Sequence, residues 1–387
     1  RSGSDPVAAA EKEHPLHVDH CSKPSCKAKT PGLMAPTAES MDNVAVRLLT
    51  GMVTALLAAA LMLTGCSRSF EGTAVMGSRD VDPAYFFAGD VPTYGQRLDP
   101  DEVNTLAYLR ALRRIDPCGL LTRDALAKIG EIGSVGTLFA LDECDVDIKL
   151  PGEANRRYAS IEVILNRMVG QPVAFLAGGL AVYESYPGSC DYLLPLNLSL
   201  LPGAQPLRQP DQPFVRVGLI AEENCEFAQR LVRAIAPTVE SSRLPVRDAV
   251  AAYPSALAER DPCQVLSMVA AEVERWDVIR SRPYECNFGI LRGNDVVPMR
   301  VSLGPKMYDM ATETRQHREH NGVELLVDPI YCSTVAFIGG PMQRRLLGGD
   351  FVGTGEVVIR PAVVVDSGGE HCDVVTDVAT AAAKLYT

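Results

Sequence analysis

Apolar residues along this chain fall into three regimes. The first is a dense run over positions 48–64, preceded by a single cation, Arg47, and closed by Gly65-Cys66. The second is helical spacing. Leu106, Leu109 and Leu112 recur through 101–113, and Leu120, Leu121, Leu126 and Ile129 follow Cys118, so that two helices are predicted here. The third consists of short apolar blocks near 144–150, 159–166, 190–198 and 214–220. Phe214-Val215-Arg216-Val217-Gly218-Leu219 alternates polar and apolar positions, as a sheet with one wet face requires. Arg156-Arg157, Gly178-Gly179 and Pro202-Gly203 punctuate the blocks as turns or loops. Helices before and after a block of strands predict an α+β unit, an antiparallel sheet with helices packed on one face.

The apolar run has the layout of a secretory signal: a short lead from Met41, an apolar core and a small-residue cleavage site. Seventeen such positions, interrupted by Thr and Gly, lie at the lower edge of what spans a bilayer. Leu63-Thr64-Gly65-Cys66 resembles the lipobox of bacterial lipoproteins, and the resemblance implies that Cys66 carries a diacylglyceryl group. Two acyl chains anchor a protein stably without a basic patch. On this reading 1–40 is a non-native or upstream prefix, 41–65 the signal peptide and 66–97 a tether. His14, His17, His20, Cys21 and Cys26 have the residue types of a zinc site, but their place ahead of the signal assigns them to the prefix.

Eight further cysteines follow: Cys118, Cys144, Cys190, Cys225, Cys263, Cys286, Cys332 and Cys372. An even set in an exported chain reads as disulfides. Successive gaps are 26, 46 and 35 residues in the first four, and 23, 46 and 40 in the second. Asp116-Pro117-Cys118 opens one set and Asp261-Pro262-Cys263 the other, 145 residues later. Matching segments flank each pair: helical stretches GLLTRDALAKIG and QVLSMVAAEVERW, then DECDVDIKL and YECNFGIL, then a final helix opened by Cys225 or Cys372. A period this long denotes two homologous domains in tandem, over 98–240 and 245–387. Four cysteines allow three pairings per domain. In a meander, Cys144 and Cys190 would lie two strand spacings apart, about 9.6 Å, too far to bridge. That leaves two pairings open in each domain; the sequential one, Cys118–Cys144, Cys190–Cys225, Cys263–Cys286 and Cys332–Cys372, is compatible with the strand order and is carried forward, with the connectivity itself undecided.

Asp116-Pro117-Cys118-Gly119-Leu120-Leu121-Thr122, downstream of a lipobox, resembles a group of secreted actinobacterial, notably mycobacterial, lipoproteins of unknown function. Their domain is similar in plan to the extracellular sensor domains of mycobacterial Ser/Thr kinases. The second copy departs from the motif after its Cys, reading Gln264-Val265-Leu266-Ser267. The resemblance implies a cell-envelope location and no particular reaction.

Charge and candidate chemistry narrow the field. Lys and Arg number 37 against 48 Asp and Glu, a formal net charge of −11, which argues against a nucleic-acid surface because phosphate contacts need cations. No Gly-x-Ser-x-Gly, His-Glu-x-x-His or phosphate-binding glycine loop occurs. His317 and His320 sit in RQHREHNG, three apart as for a helical metal pair, but the Asn-Gly that ends the segment marks a solvated loop. His371 is explained by exposure and capping at the last helix. Trp276 reads as core packing, and Asp82-Pro83, Asp99-Pro100 and Asp328-Pro329 as turns. Tyr85, Phe86 and Phe87 form an aromatic patch expected to dock on the first domain.

These features predict no catalytic residues, metal or cofactor. They predict an exported protein, lipid-anchored on the outer face of the membrane, that binds a ligand or partner such as a lipid, a glycan or an envelope protein. An accessory subunit of an envelope transport, signalling or secretion complex is the alternative, and an envelope hydrolase the third reading.

Overall fold

The computed structural model describes residues 81–137, 140–167, 170–208, 210–220, 225–241, 243–247, 256–308, 315–341, 358–369 and 371–387. The prefix, the signal segment and the lipobox residues Leu63, Thr64, Gly65 and Cys66 lie outside them.

Helix α1 (Pro100–Arg113) begins at Asp99, whose carboxylate accepts from the Glu102 amide while Glu102 accepts from the Asp99 amide. Pro100 fills the first turn, where no amide partner is needed. Asp82-Pro83 works the same way for the short 3-10 turn Pro83–Phe87. Both pairs are helix starts and correct the expectation of turns, since the Asp side chain caps amides that Pro leaves accessible. Asp328-Pro329 is a turn, with Asp328 accepting from the amides of Ile330 and Tyr331.

After α1 come α2 (Arg123–Ile129), β1 (Glu131–Gly136), β2 (Glu143–Lys149), β3 (Arg156–Arg167), β4 (Val173–Ala177), β5 (Leu180–Glu184), β6 (Tyr192–Pro195), β7 (Asp211–Leu219) and α3 (Cys225–Glu240). The second half contains β8 (Val273–Trp276), β9 (Glu285–Arg292), β10 (Asp295–Met307), β11 (Gln316–His320), β12 (Val323–Asp328), β13 (Ser333–Phe337), β14 (Ile359–Asp366) and α4 (Cys372–Tyr386). All strand pairings among the described residues are antiparallel. The first sheet runs β1-β2-β3-β7-β6-β5-β4, and the second, read from its other end, β8-β9-β10-β14-β13-β12-β11. Adding seven to each strand number converts one order into the other, so the cysteine repeat corresponds to a repeat of topology.

Each sheet has seven strands where about four were predicted, and neither is a simple meander. The last strand of each unit inserts beside the third, pairing Ile161 with Val217 and Val301 with Val365. Cys144 and Cys190 are thereby further apart than a meander would place them, and the sequential disulfides form: Cys118–Cys144, Cys190–Cys225, Cys263–Cys286 and Cys332–Cys372. The stretch after Cys263 corrects a second expectation. Its helical turns Pro262–Val265 and Leu266–Val269 are short, and the chain becomes strand β8 at Val273. There Trp276 is buried in the second core, with β-branched and aromatic residues overriding the helical spacing.

Helix α1 serves both cores. Tyr108, Ala111 and Leu112 pack with β2, β3 and α3 in the first, whereas Leu106 and Leu109 pack with Trp276, Val278 and Cys286 in the second. Three residues along a helix step back about 60° around its axis, so Leu112 points some 120° away from Leu106. The single apolar face expected for the three leucines is thus split between two hydrophobic layers. The described residues all belong to one compact unit.

Candidate functional site

The helix shared by the two cores ends in Arg110, Arg113 and its C-cap Arg114. Basic side chains here complement the negative end of the helix dipole. Around them lies a cavity of about 400 Å³, lined by Tyr85, Tyr94, Arg110, Arg113, Arg114, Arg247 and Asp261, with Glu259 on its lining as well. The lining thus brings together the segment before α1, the end of α1, the connection between the two sheets and the second Asp-Pro-Cys.

Each wall has a local cause. Asp116 and Asp261 accept from the amides of Cys118 and Cys263 respectively, each at 3.0 Å, which is what the repeated Asp-Pro-Cys provides structurally. Asp261 also takes a hydrogen bond from Arg113 Nη2 at 2.9 Å, tying α1 to the second unit. Arg247 donates to the carbonyls of Arg113, Ile115 and Leu141, and its guanidinium stacks 5.2 Å from the Tyr284 ring centroid. The Arg247 and Asp116 amides donate to Arg114 and Pro245 carbonyls, so 245–247 runs back along the first domain. Phe86 and Phe87 are buried in the first core and hold the preceding segment against it, as the aromatic patch predicts. Tyr85 stays partly exposed beneath the Arg114 guanidinium, 4.5 Å from its ring centroid.

Tyr94 adopts φ +50°, and Gly95 after it φ +82°. A bulky residue in the left-handed region is uncommon and carries backbone strain. The Tyr94 ring lies 6.1 Å from Trp276. Burial, followed by the charge of Asp261 and a hydrogen bond to it, raises its phenol pKa.

Arg110 donates to the carbonyls of Asp90 at 2.6 Å and Gly89 at 2.7 Å, and Arg114 donates to those of Tyr85 and Ala88. These acceptors are neutral. Burial first, then Arg114 and Arg113, lowers the pKa of Arg110, with Asp261 and Asp90 opposing; for Arg114 burial again leads, opposed by Tyr85 and reinforced by Arg113.

A carboxylate cluster lies elsewhere on the first sheet. Burial, then repulsion from Glu162, raises Asp142 to about 6, and burial, then Asp145 and Glu162, raises Glu143 to about 7. Lys306 of β10 feels the charge of Glu143. Glu162 is itself paired with Arg216 at 3.0 Å. Below about pH 4 the folded and unfolded chains both hold these two protons. Between about pH 4 and 7 the unfolded chain releases them first, so their contribution to stability falls as pH rises. One pKa unit is worth about 1.4 kcal/mol, and partial exposure reduces the effect to a few kcal/mol for the pair. Urea melts should show a higher midpoint at pH 5 than at pH 8, and Asp142→Asn should flatten that difference.

The histidines do not converge. His317 and His320 lie on strand β11, not in a loop, and Asn321 and Gly322, both at positive φ, form its hairpin turn. Residues three apart point to opposite faces of a strand. His317 lies 4.9 Å from the Tyr308 ring centroid, whereas His320 approaches Asp377 at 3.5 Å. His371 has φ +58° and makes no capping side-chain bond, so exposure alone remains of the expectation for it. Among the described residues, no group of three or more His, Cys, Asp or Glu is placed to hold a metal. A second cavity, about 340 Å³, adjoins β10, β12 and β13, with Arg315 paired to Asp328 at 3.1 Å on its lining.

The arginine cavity is a site that sequence reading missed. Arg110, Arg113 and Arg114 stand at spacings that share a helix face, a visible signal. Arg247 and Asp261 lie more than 130 residues further on and join them only through the fold. No family model, curated protein or solved structure matches the chain. Four disulfides spread over both halves point to an exported, extracytoplasmic protein.

Proposed function

We propose that this chain is a lipid-anchored, non-catalytic binding module of the cell envelope whose ligand site is the cavity at the end of α1. The observation that carries the reading is the convergence of both repeats on one concave, polar-lined space of about 400 Å³. That volume is typical of small-molecule sites. Strain held at Tyr94 on its wall supports the same assignment. The lipid anchor rests on Leu63-Thr64-Gly65-Cys66 following an apolar run.

Two measurements address it. Protein recovered under native conditions from the envelope of its host should carry a small-molecule mass adduct, and Tyr94→Ala should lower its occupancy severalfold. Absence of any adduct across preparations would remove the binding reading. Separately, metabolic labelling with an alkyne fatty acid should mark the wild type, and Cys66→Ala should abolish the label and release the protein from the membrane fraction. A Cys66→Ala variant that stays labelled would refute the anchor.

A further inference from the structure

We infer that the cavity at the end of α1 holds a phosphoryl dianion, borne by a small solute or by a lipid headgroup, with Arg110, Arg113 and Arg114 as its donors and Arg247 adding charge. The inference rests on the binding reading above and names the ligand class for that site.

Charge is the first argument. Four guanidinium groups line the cavity against two carboxylates, Glu259 and Asp261, in a chain whose net charge is −11. The end of α1 contributes about −0.5. Even so the lining side chains are net cationic, the sign that complements a phosphate monoester, which carries about −1.5 to −2 at neutral pH. Partner chemistry is the second. Arg113 is paired with Asp261, but the hydrogen bonds of Arg110 and Arg114 go to backbone carbonyls. Those two side chains form no contact ion pair among the described residues, although Asp261 and Asp90 act on Arg110 through space. The third argument is residue type. Every cation on the lining is arginine, whose planar fork fits phosphate oxygens in pairs as a lysine ammonium does not. Finally, about 400 Å³ accommodates a small molecule or a headgroup.

The test is calorimetric titration of the full, disulfide-intact protein with inorganic phosphate and with glycerol phosphate, against chloride at matched ionic strength. Saturable phosphate binding is expected. A charge-assisted hydrogen bond contributes about 1.5–3 kcal/mol, so Arg114→Gln should weaken it about tenfold or more. Glu259→Gln removes an exposed negative charge and should tighten binding about twofold at low salt. Because Glu259 is exposed, that variant keeps the test alive if Arg114→Gln does not fold. Vesicles of phosphatidylcholine with and without phosphatidic acid identify the source. Arg114-dependent binding to the phosphatidic acid vesicles assigns a headgroup; binding of the soluble phosphates alone assigns a solute.

The inference is overturned if phosphate uptake does not exceed the chloride control, or if neither variant changes it. Should phosphate fail while the native adduct is present and lost in Tyr94→Ala, the cavity binds a ligand of other chemistry. Loss of both phosphate binding and the adduct removes the binding reading as well.

Discussion

Leu109→Ala is expected to destabilise the protein by about 2–5 kcal/mol, with the damage directed to the second sheet. Leu109 is 1% exposed and packs in the core that holds Trp276, Val278 and Cys286. Truncating a buried leucine loses transfer energy and leaves a cavity that neighbours only partly fill. Leu112→Ala should cost a similar amount but act on the first sheet, because Leu112 packs with that core. Amide hydrogen exchange distinguishes the two. Leu109→Ala should speed exchange in β9, β10 and β14, and Leu112→Ala in β2, β3 and β7. Identical exchange maps would show that α1 does not divide between two cores, and the repeat would then be one cooperative layer.

The second large effect concerns the disulfides. Replacing Cys118 and Cys144 together with serine opens a loop of 26 residues. Closing a loop of that length restricts the unfolded chain by about 3.5 kcal/mol. The pair also ties the turn after α1 to β2, so its loss should loosen one wall of the arginine cavity. Denaturant melts of the double variant should show a stability lower by about that amount. Cys263 and Cys286, in the equivalent positions with a separation of 23, should give a similar loss when replaced. A change below about 0.5 kcal/mol in both would mean that the covalent frame contributes little to either domain.

Much of the architecture was legible because cysteine spacing survives where side-chain patterns do not. Asp116-Pro117-Cys118 and Asp261-Pro262-Cys263 occupy equivalent turns, and Cys225 and Cys372 open equivalent helices. The strand count was not legible. β4 and β5 are five-residue strands of a hairpin whose turn, Gly178-Gly179, was visible although the strands were not. The insertion of β7 beside β3 is a long-range pairing, invisible to local periodicity. Reading 316–320 as a loop failed because RQHREH is polar throughout. β11 sits at the edge of its sheet, where charged residues are favoured. The candidate site was half legible: the arginine triplet lies within five residues, but its significance depends on Arg247, Tyr94 and Asp261, which only the tertiary fold brings to it.

Opposing ionisations also shape the pH response. Glu324 accepts from the hydroxyl of Tyr308 and from Arg360, and these hold its carboxyl below the usual range. That contribution is present above the unfolded value and is lost on acidification, opposite in sign to Asp142 and Glu143. Stability should therefore peak on the mildly acidic side of neutrality.

The most direct measurement of the central claim is native mass spectrometry of the protein taken from its own envelope, in wild-type and Arg114→Gln forms side by side. A wild-type mass with all four bridges closed and a small phosphorylated adduct, the adduct missing from the Arg114→Gln protein, is the predicted result. A bare mass in both forms, or free thiols at the eight paired positions, would contradict it.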